Sequence, residues 1–438
     1  MLHKRNILVI GIIAILVLVM AVPTLANEPA VTNQQSAQEG EPLKIGVLTD
    51  HSGALAIYGF EQTQGFMLGL EYATDGTMEV AGRPLEVIER DNASDIDTAN
   101  SDARELIEVE GVEVLQGTVS STVTLALQAA AEEYGIVLMA GPAASPAITG
   151  DSFNEYTFRA CRQSFQDSYA VATYALEEYG NNYVQMAVDN AFGTTSAGAF
   201  DIVLQSRGAT PVQDTILVAE DTTDFTLSLE AVRESGADFW VLTWAGGSTV
   251  TLNQQIAALG ILEDVPSVLT TNSNDIMVAA FGDESLLPLY ESATYFSTYH
   301  YTLPGLDPDN PNPEVNEWLV EHHVADYDGD YPDLFTECGF ASAQALVAAL
   351  EISEGSTDPE DLIPALEGLE WAGPKGEYTL RAEDHQALVP MYIVTLADPT
   401  SETFEFYNWE ATISGEDTAP PCLAVGRSSE DLVCPEGE

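Results

Sequence analysis

A regular alternation of short apolar runs with helical patterns begins at Leu43, and it constrains the fold more than any other feature of the sequence. In one predicted helix Ala99, Ala103 and Leu106 recur at helical spacing and share one face. Strands that alternate with helices in this way form a parallel sheet wrapped by helices. The first unit has predicted strands at 45–49, 85–90, 112–117 and 136–140, with predicted helices at 61–73, 98–109 and 121–134.

The same pattern starts again after Arg159 as a second unit. Its predicted helices are 165–179, 194–207, 224–235 and 249–259, and its predicted strands are 184–189, 215–218, 239–244 and 267–271. The remainder is less regular, with predicted strands at 293–301, 391–396 and 404–409 and predicted helices at 315–327, 339–353 and 359–369. Two units of one kind predict an α/β fold with two Rossmann-like lobes, joined by a hinge, and a ligand cleft between them.

The first 26 residues have the pattern of an export signal. Lys4 and Arg5 precede an apolar run over 7–22, and small residues ending at Ala26 follow it. The run is short for a membrane span, so we expect cleavage after Ala26; an uncleaved leader that tethers the protein is the alternative. Residues 27–41 are polar and predict a flexible tether. The expected location is therefore periplasmic or extracellular.

The charge balance excludes several classes of partner. The chain has 70 Asp and Glu against 13 Lys and Arg, a formal net charge of −57. Nucleic acid and anionic membrane surfaces are poor partners for such a chain. A saline habitat and an acid-biased family branch account for the balance equally well. The acidic residues are spread over helix faces and loops, so the charge itself marks no site.

The sequence contains none of the common signatures of catalysis. It lacks the G-x-S-x-G nucleophile elbow, the P-loop, the Rossmann glycine set and the H-E-x-x-H zinc motif. Asp326, Asp328 and Asp330 offer oxygen ligands for calcium, but no Glu stands at calcium-loop spacing, so a solvated acidic loop is the better interpretation. We expect a binding protein that has no enzymatic activity, no metal and no cofactor.

Four cysteines, an even number in an exported chain, favour two disulfides over metal binding. Pairing Cys422 with Cys434 would close a short loop and restrain the tail by about 3 kcal/mol in the chain-entropy model. That pairing leaves Cys161 with Cys338.

The stretch KIGVLTDHSGALAIYG over 44–59 reads as a buried strand followed by a Gly-punctuated loop that carries Tyr58. Together with five later motifs it resembles the type I periplasmic solute-binding proteins of ABC importers, in the leucine and branched-chain amino-acid branch. The resemblance extends from Lys44 to Val394. The other motifs are GTVSSTVTLAL from Gly117, GPAASPAITG from Gly141, YTFRACRQSFQDS from Tyr156, DNAFG from Asp189 and GEYTLRAEDHQAL from Gly376.

The resemblance implies a binding site between the lobes. It assigns the ligand carboxylate to Ser121 and Ser120, where the first amides of a helix also attract an anion; Ser120 acting only as a helix cap is the alternative. It assigns further backbone groups to Ala143, Ala144 and Ser145, and aromatic walls to Tyr58 and Phe192, with core packing as the alternative for Phe192. In the second lobe it implies a lid that includes Trp244, Ala245 and Gly246, with core packing as the alternative for Trp244.

The sequence departs from the family pattern at two places, one in the expected ligand site and one at a pair of cysteines. Leucine binders place an acidic residue of the second lobe against the ammonium group, near the positions that here hold Asn272 and Asn274. Either Asp275 replaces it or the ligand is an amide or another small polar molecule. Cys161 and Cys338 stand where related sequences carry Gly, which favours a disulfide between them; our hypothesis is that it braces the hinge.

These observations predict a substrate-binding component of an ABC importer. The expected ligand is a branched-chain or other amino acid, and the expected partners of the monomer are membrane permease subunits. The alternative is a sensory protein that presents amides or other small polar solutes to a separate receptor. The predicted divisions are a signal peptide (1–26), a tether (27–41), lobe 1 (42–160 and 298–380), lobe 2 (161–297 and 381–414) and an acidic tail with a disulfide (415–438).

Overall fold

The computed structural model describes residues 40–53, 55–269, 294–297, 299–397, 401 and 405–421. The predicted signal peptide, tether and tail disulfide lie outside these residues. Among the described helices, none is both long enough and apolar enough to span a membrane.

A six-stranded sheet forms the first lobe, in the order β2-β3-β1-β4-β5-β6. Its strands run parallel except for the β2–β3 hairpin. The chain leaves β1 for β3 on one side and continues to β4 on the other, so the strand order reverses at β1 and β4. The strands are β1 (Leu43–Thr49), β2 (Glu79–Val80), β3 (Arg83–Asp91), β4 (Val114–Gly117), β5 (Val137–Ala140) and β6 (Thr157–Phe158).

An eight-stranded sheet forms the second lobe. Its order is β17-β16-β12-β11-β10-β7-β8, with β9 also paired to β7. All pairs are parallel except those of β16, which runs antiparallel to both β12 and β17. The strands are β7 (Asn182–Val188), β8 (Thr210–Pro211), β9 (Ile216–Val218), β10 (Phe239–Thr243), β11 (Ser267–Leu269), β12 (Thr294–Ser297), β16 (Met391–Leu396) and β17 (Tyr407–Ile413). A small antiparallel sheet of β13 (Glu370–Gly373), β14 (Gly376–Leu380) and β15 (Ala387–Leu388) was not predicted.

Helices cover both faces of each large sheet, as the alternation predicted. The helices are α1 (Ala56–Ala73), α2 (Ile96–Glu105), α3 (Ser121–Tyr134), α4 (Ser164–Glu178), α5 (Ala191–Ser206), α6 (Thr226–Arg233), α7 (Thr249–Leu259), α8 (Ile261–Asp264), α9 (Leu303–Leu306), α10 (Pro313–Asp326), α11 (Leu334–Ile352) and α12 (Pro359–Leu366). The first sheet buries Ile45 and Val47 on one face, and on the other face Leu48 packs with Ala99 and Ala103 of α2. This alternation along β1 is the period-2 pattern of a strand buried on both faces.

Helix α11 begins five residues earlier than its predicted start at 339. Asp333 and Thr336 form a capping box there, in which the Asp333 carboxylate accepts from Leu334 N at 2.6 Å. The helix packs closely on α1, because a Cβ on Gly65 would stand only 1.9 Å from the Thr336 carbonyl oxygen. This packing fixes the start of α11 against the first lobe. The lobe boundaries, residue by residue, stay a prediction.

Candidate functional site

A cavity of about 480 Å³ lies where loops of both sheets meet. Its described walls come from loops after β1, β3, β4 and β5 in the first lobe and from loops after β7, β9 and β10 in the second. Open parallel sheets bind ligands at the carboxyl ends of their strands, where the strand order reverses. The volume is in the range of sites for small molecules.

Two serines at the start of α3, Ser120 and Ser121, lie on the cavity wall. Ser120 is the N-cap of the helix and accepts from Val123 N at 3.4 Å, whereas Ser121 Oγ accepts from Ser145 N at 3.2 Å. Ser120 therefore caps the helix and also faces the cavity. Both hydroxyl oxygens act as acceptors in these bonds, so their protons remain available to a bound anion.

The turn after β5 contributes less than the resemblance implied. Only Ala144 of the three predicted residues is part of the described wall. The carbonyl oxygens of Ala143 and Ser145 accept from Arg159, and that of Ala144 accepts from Ser164 Oγ at 3.1 Å. These carbonyl groups thus hold the turn in place.

Aromatic side chains form one wall of the cavity. Tyr58 and Phe192 lie there, and the centre of the Tyr58 ring is 4.6 Å from that of Phe335. The Tyr58 hydroxyl accepts from Gly246 N of the second lobe at 3.3 Å, and burial raises the pKa of Tyr58 to about 12. A hydrogen bond between Ser145 Oγ and Thr195 Oγ1 at 2.9 Å also joins the lobes. The structure thus has the lobes in direct contact around the cavity.

Trp244 does not line the cavity, which corrects its predicted place in the lid. Its side chain is fully buried in the second-lobe core, where Nε1 donates to Ser248 Oγ at 3.1 Å and the ring packs edge-on against Phe225. Ala245 does line the cavity, whereas Asn272 and Asn274 lie outside the described residues.

Charged residues that the sequence analysis did not single out also line the cavity. Asp95 and Asp97, at the start of α2, and Glu220, on the loop after β9, are exposed residues of its wall. Arg162 lies deeper: its side chain is 13% exposed and Nη1 is 3.4 Å from Asp167 Oδ2. Glu220 is an acidic residue of the second lobe on the cavity wall. The resemblance implies an acidic residue of that lobe near the positions that here hold Asn272 and Asn274. The scarcity of basic residues was the signal that could have directed attention to Arg162.

Cys161 and Cys338 form a disulfide, which confirms the predicted pairing; Cys422 and Cys434 lie outside the described residues. The bond joins the segment after β6 to α11. Arg162 directly follows Cys161, and Phe335 lies one helical turn before Cys338. The disulfide therefore links the segment that carries Arg162 to the helix that carries Phe335, and both of these residues line the cavity.

Elsewhere in the described residues, no three His, Cys, Asp or Glu side chains are grouped so that they could hold a metal ion. Two sheets with a small-molecule cavity at their facing ends define the class of two-lobed solute-binding proteins with the type I fold.

A family model described as periplasmic binding protein matches residues 42–401, so the chain belongs to that family. It is 24% identical over 386 residues to the Leu/Ile/Val-binding protein homolog 6 of Brucella suis biovar 1 (strain 1330), covering 86% of this chain and 92% of that protein. The family's members are solute-binding proteins of ABC transporters and not enzymes. This chain is accordingly a substrate-binding component of such a transporter, and family membership implies export to the periplasm.

Comparison with solved structures also finds proteins of ABC transporters. An ABC-type branched-chain amino acid transporter protein from Rhodopseudomonas palustris CGA009 is 32% identical, with a TM-score of 0.70, 87% of this chain covered and 99% of that chain. A solute-binding protein from R. palustris, solved in complex with benzoate, has 22% identity and a TM-score of 0.73, with 90% and 99% covered. At that identity the second structure is similar in fold alone.

Proposed function

We propose that this protein captures an amino acid with an apolar side chain between its lobes and delivers it, as a monomer, to membrane permease subunits for import. The observation that carries the proposal is a single cavity that combines anion-binding groups with aromatic walls. Ser121 and Arg162 provide the first, and Tyr58, Phe192 and Phe335 provide the second. The relatives named for leucine, isoleucine and valine support the same ligand class.

The edge of the cavity supports a zwitterion over a plain anion. Asp95, Asp97 and Glu220 are exposed there, on a chain with a formal net charge of −57. This field slows the approach of a net anion at low ionic strength but has little effect on a zwitterion. Glu220 is also an acidic group that an ammonium can face, which a leucine-type ligand needs.

A second candidate is an aromatic carboxylic acid. The aromatic wall of Tyr58 and Phe335 favours it, and a similar structure holds benzoate. Both candidate ligands have a carboxylate, but only the amino acid has an ammonium group. Removal of the acidic residue Glu220 should therefore affect the binding of the amino acid alone.

Calorimetric titration of the mature protein tests the proposal with leucine, isoleucine, valine and phenylalanine against benzoate and 4-hydroxybenzoate. We expect micromolar binding of an amino acid, about −8 kcal/mol. Because Glu220 is exposed, Glu220→Gln should weaken amino-acid binding only about threefold and leave benzoate unchanged. Preferred binding of benzoate, with an association rate that rises with salt, would favour the second candidate.

Transport is tested separately. Crosslinking of the loaded protein to reconstituted permease subunits, with uptake of labelled ligand, supports import. Binding without any permease interaction would favour the sensory alternative. Failure of all the tested solutes to bind would contradict the proposed ligand classes.

A further inference from the structure

Three of the few basic residues of this acidic chain lie together in the interior, and one of them reaches the cavity. Of 13 Lys and Arg residues in the sequence, Arg159, Arg162 and Lys375 lie in one interior region. Arg159 is 0% and Lys375 1% exposed, and the Arg162 side chain is 13% exposed. Burying a charge costs free energy unless it is paired, and this chain has few cations to place, so the grouping calls for a function.

Two carboxylates face these three cations. Asp167 Oδ2 is 3.4 Å from Arg162 Nη1, and Glu337 Oε2 is 3.8 Å from Lys375 Nζ. Desolvation raises the pKa of Asp167 to about 6 and lowers that of Lys375 to about 8. At pH 7 both groups therefore stay mainly charged.

Arg159 has no carboxylate of its own within this group. Its guanidinium donates to the side-chain oxygens of Gln386 and Thr149 and to the carbonyl oxygens of Ala143 and Ser145, all of which are neutral. Asp384, the next carboxylate, is engaged by Arg381 through both oxygens. The buried group thus keeps one positive charge without a counter-charge among the described residues.

Arg162 is where this positive charge reaches the cavity. It is the member of the group that is on the described cavity wall, which also includes Phe335 and Ser121. Its Nη1 is buried within ion-pair distance of Asp167, and no hydrogen bond to another described residue occupies the rest of the guanidinium, which belongs to a residue of the cavity wall. A guanidinium in this position matches the geometry of a carboxylate.

We propose that Arg162 is a specificity-determining residue that binds the carboxylate of the captured solute, which supplies the negative charge the buried group lacks. The inference rests on the proposed function, and it applies to an amino acid and to an aromatic acid alike. It predicts that acids bind and that the corresponding carboxamides, which lack the carboxylate, bind far more weakly.

Pairs of acid and amide test this inference: leucine with leucinamide, and benzoate with benzamide. By titration calorimetry the wild-type protein should prefer the acid of at least one pair by 100-fold or more. Arg162→Gln should reduce binding of that acid about 100-fold and change binding of the amide less than threefold. Arg207→Gln removes the same charge from an exposed site and is the control for net charge.

Two further variants separate recognition from a structural role. Arg162→Lys keeps the charge but loses the fork of donors, so acid binding should fall by a smaller factor of about 10. Asp167→Asn removes the competing carboxylate and should leave acid binding equal or tighter, whereas a purely structural ion pair predicts weaker binding. Circular dichroism confirms that each variant is folded.

Several outcomes would overturn the inference. Equal losses of acid and amide in Arg162→Gln would assign Arg162 to packing. A wild-type preference for an amide would also refute carboxylate recognition while leaving the capture of a small solute intact. Absence of binding by every member of both pairs would overturn this inference and the proposed ligand classes together.

Discussion

Removal of the Cys161–Cys338 disulfide should destabilise the protein strongly. The two cysteines are 177 residues apart in sequence, and both are buried. In the chain-entropy model a loop of this length restricts the unfolded state by about 5 kcal/mol at 25 °C. The double variant C161A/C338A should therefore lose about 5 kcal/mol of unfolding free energy. Alanine is the suitable replacement because serine would bury two hydroxyl groups.

Urea unfolding, followed by tryptophan fluorescence and circular dichroism, measures the loss. The variant C422A/C434A removes the same number of sulfur atoms and is the matched control; the same model gives about 3 kcal/mol for its short loop. The order of the two variants is the test. If C161A/C338A loses less than 1 kcal/mol, or less than the tail variant, the loop-entropy reasoning is wrong. Mass spectrometry after alkylation without reductant verifies that both bonds exist in the wild-type protein.

Three further predictions concern lobe closure, the packing of α5 and a buried carboxylate. Tyr58→Phe removes the hydrogen bond to Gly246 N, so calorimetry should show about fivefold weaker ligand binding, about 1 kcal/mol. Gly193→Ala should cost about 3 kcal/mol of unfolding free energy in urea, because its Cβ would stand 1.9 Å from the carbonyl oxygen that ends β7, whereas Gly198→Ala in the same helix meets nothing within 4 Å and should be neutral or slightly stabilising. Burial raises the pKa of Asp167 from 3.8 to about 6, so the folded protein holds this proton more tightly than the unfolded chain. Relative to Asp167→Asn, wild-type stability should therefore be greatest below pH 3.8 and fall by about 3 kcal/mol by pH 7, as urea midpoints across this range would show.

Each of these predictions has a clear contrary result. Unchanged affinity in Tyr58→Phe would mean that the bond to Gly246 does not contribute to the ligand-bound state. Equal stability of the two glycine variants would contradict the close approach of α5 to β7. Parallel pH profiles for wild type and Asp167→Asn would show that this carboxylate titrates as it does in the unfolded chain.

The repeating pattern was enough to predict the fold, and the family motifs marked loops that lie at the cavity. The helical spacing of Ala99 and Ala103 placed them correctly on the buried face of α2. Tyr58, Ser120 and Ser121 were found at the cavity because strand-end loops are local features that motifs mark.

Other features depend on contacts that are distant in sequence. Phe335 reaches the cavity because α11 packs on α1 and is joined to Cys161, and neither fact is visible in the residues around it. Trp244 shows the opposite error: the end of a strand can face either the cavity or the core, and the spacing does not distinguish them. The hairpin of β13 and β14 was missed because its strands are short and few large apolar side chains, Trp371, Tyr378 and Leu380, mark its buried face.

The distribution of charge connects the site to the closing of the lobes. Around the cavity, the contacts between the lobes include a hydrogen bond between Tyr58 and Gly246 and another between Ser145 and Thr195. Each bond contributes about 1 kcal/mol net to the closed form. Such bonds are too weak by themselves to hold an acidic protein closed against the repulsion between its carboxylates. A ligand shifts the equilibrium only by the difference of its affinities for the closed and open forms. In the proposed site, a solute that contacts Ser121 of the first lobe and Glu220 of the second would have such a difference, because it would meet both residues only when the lobes are closed.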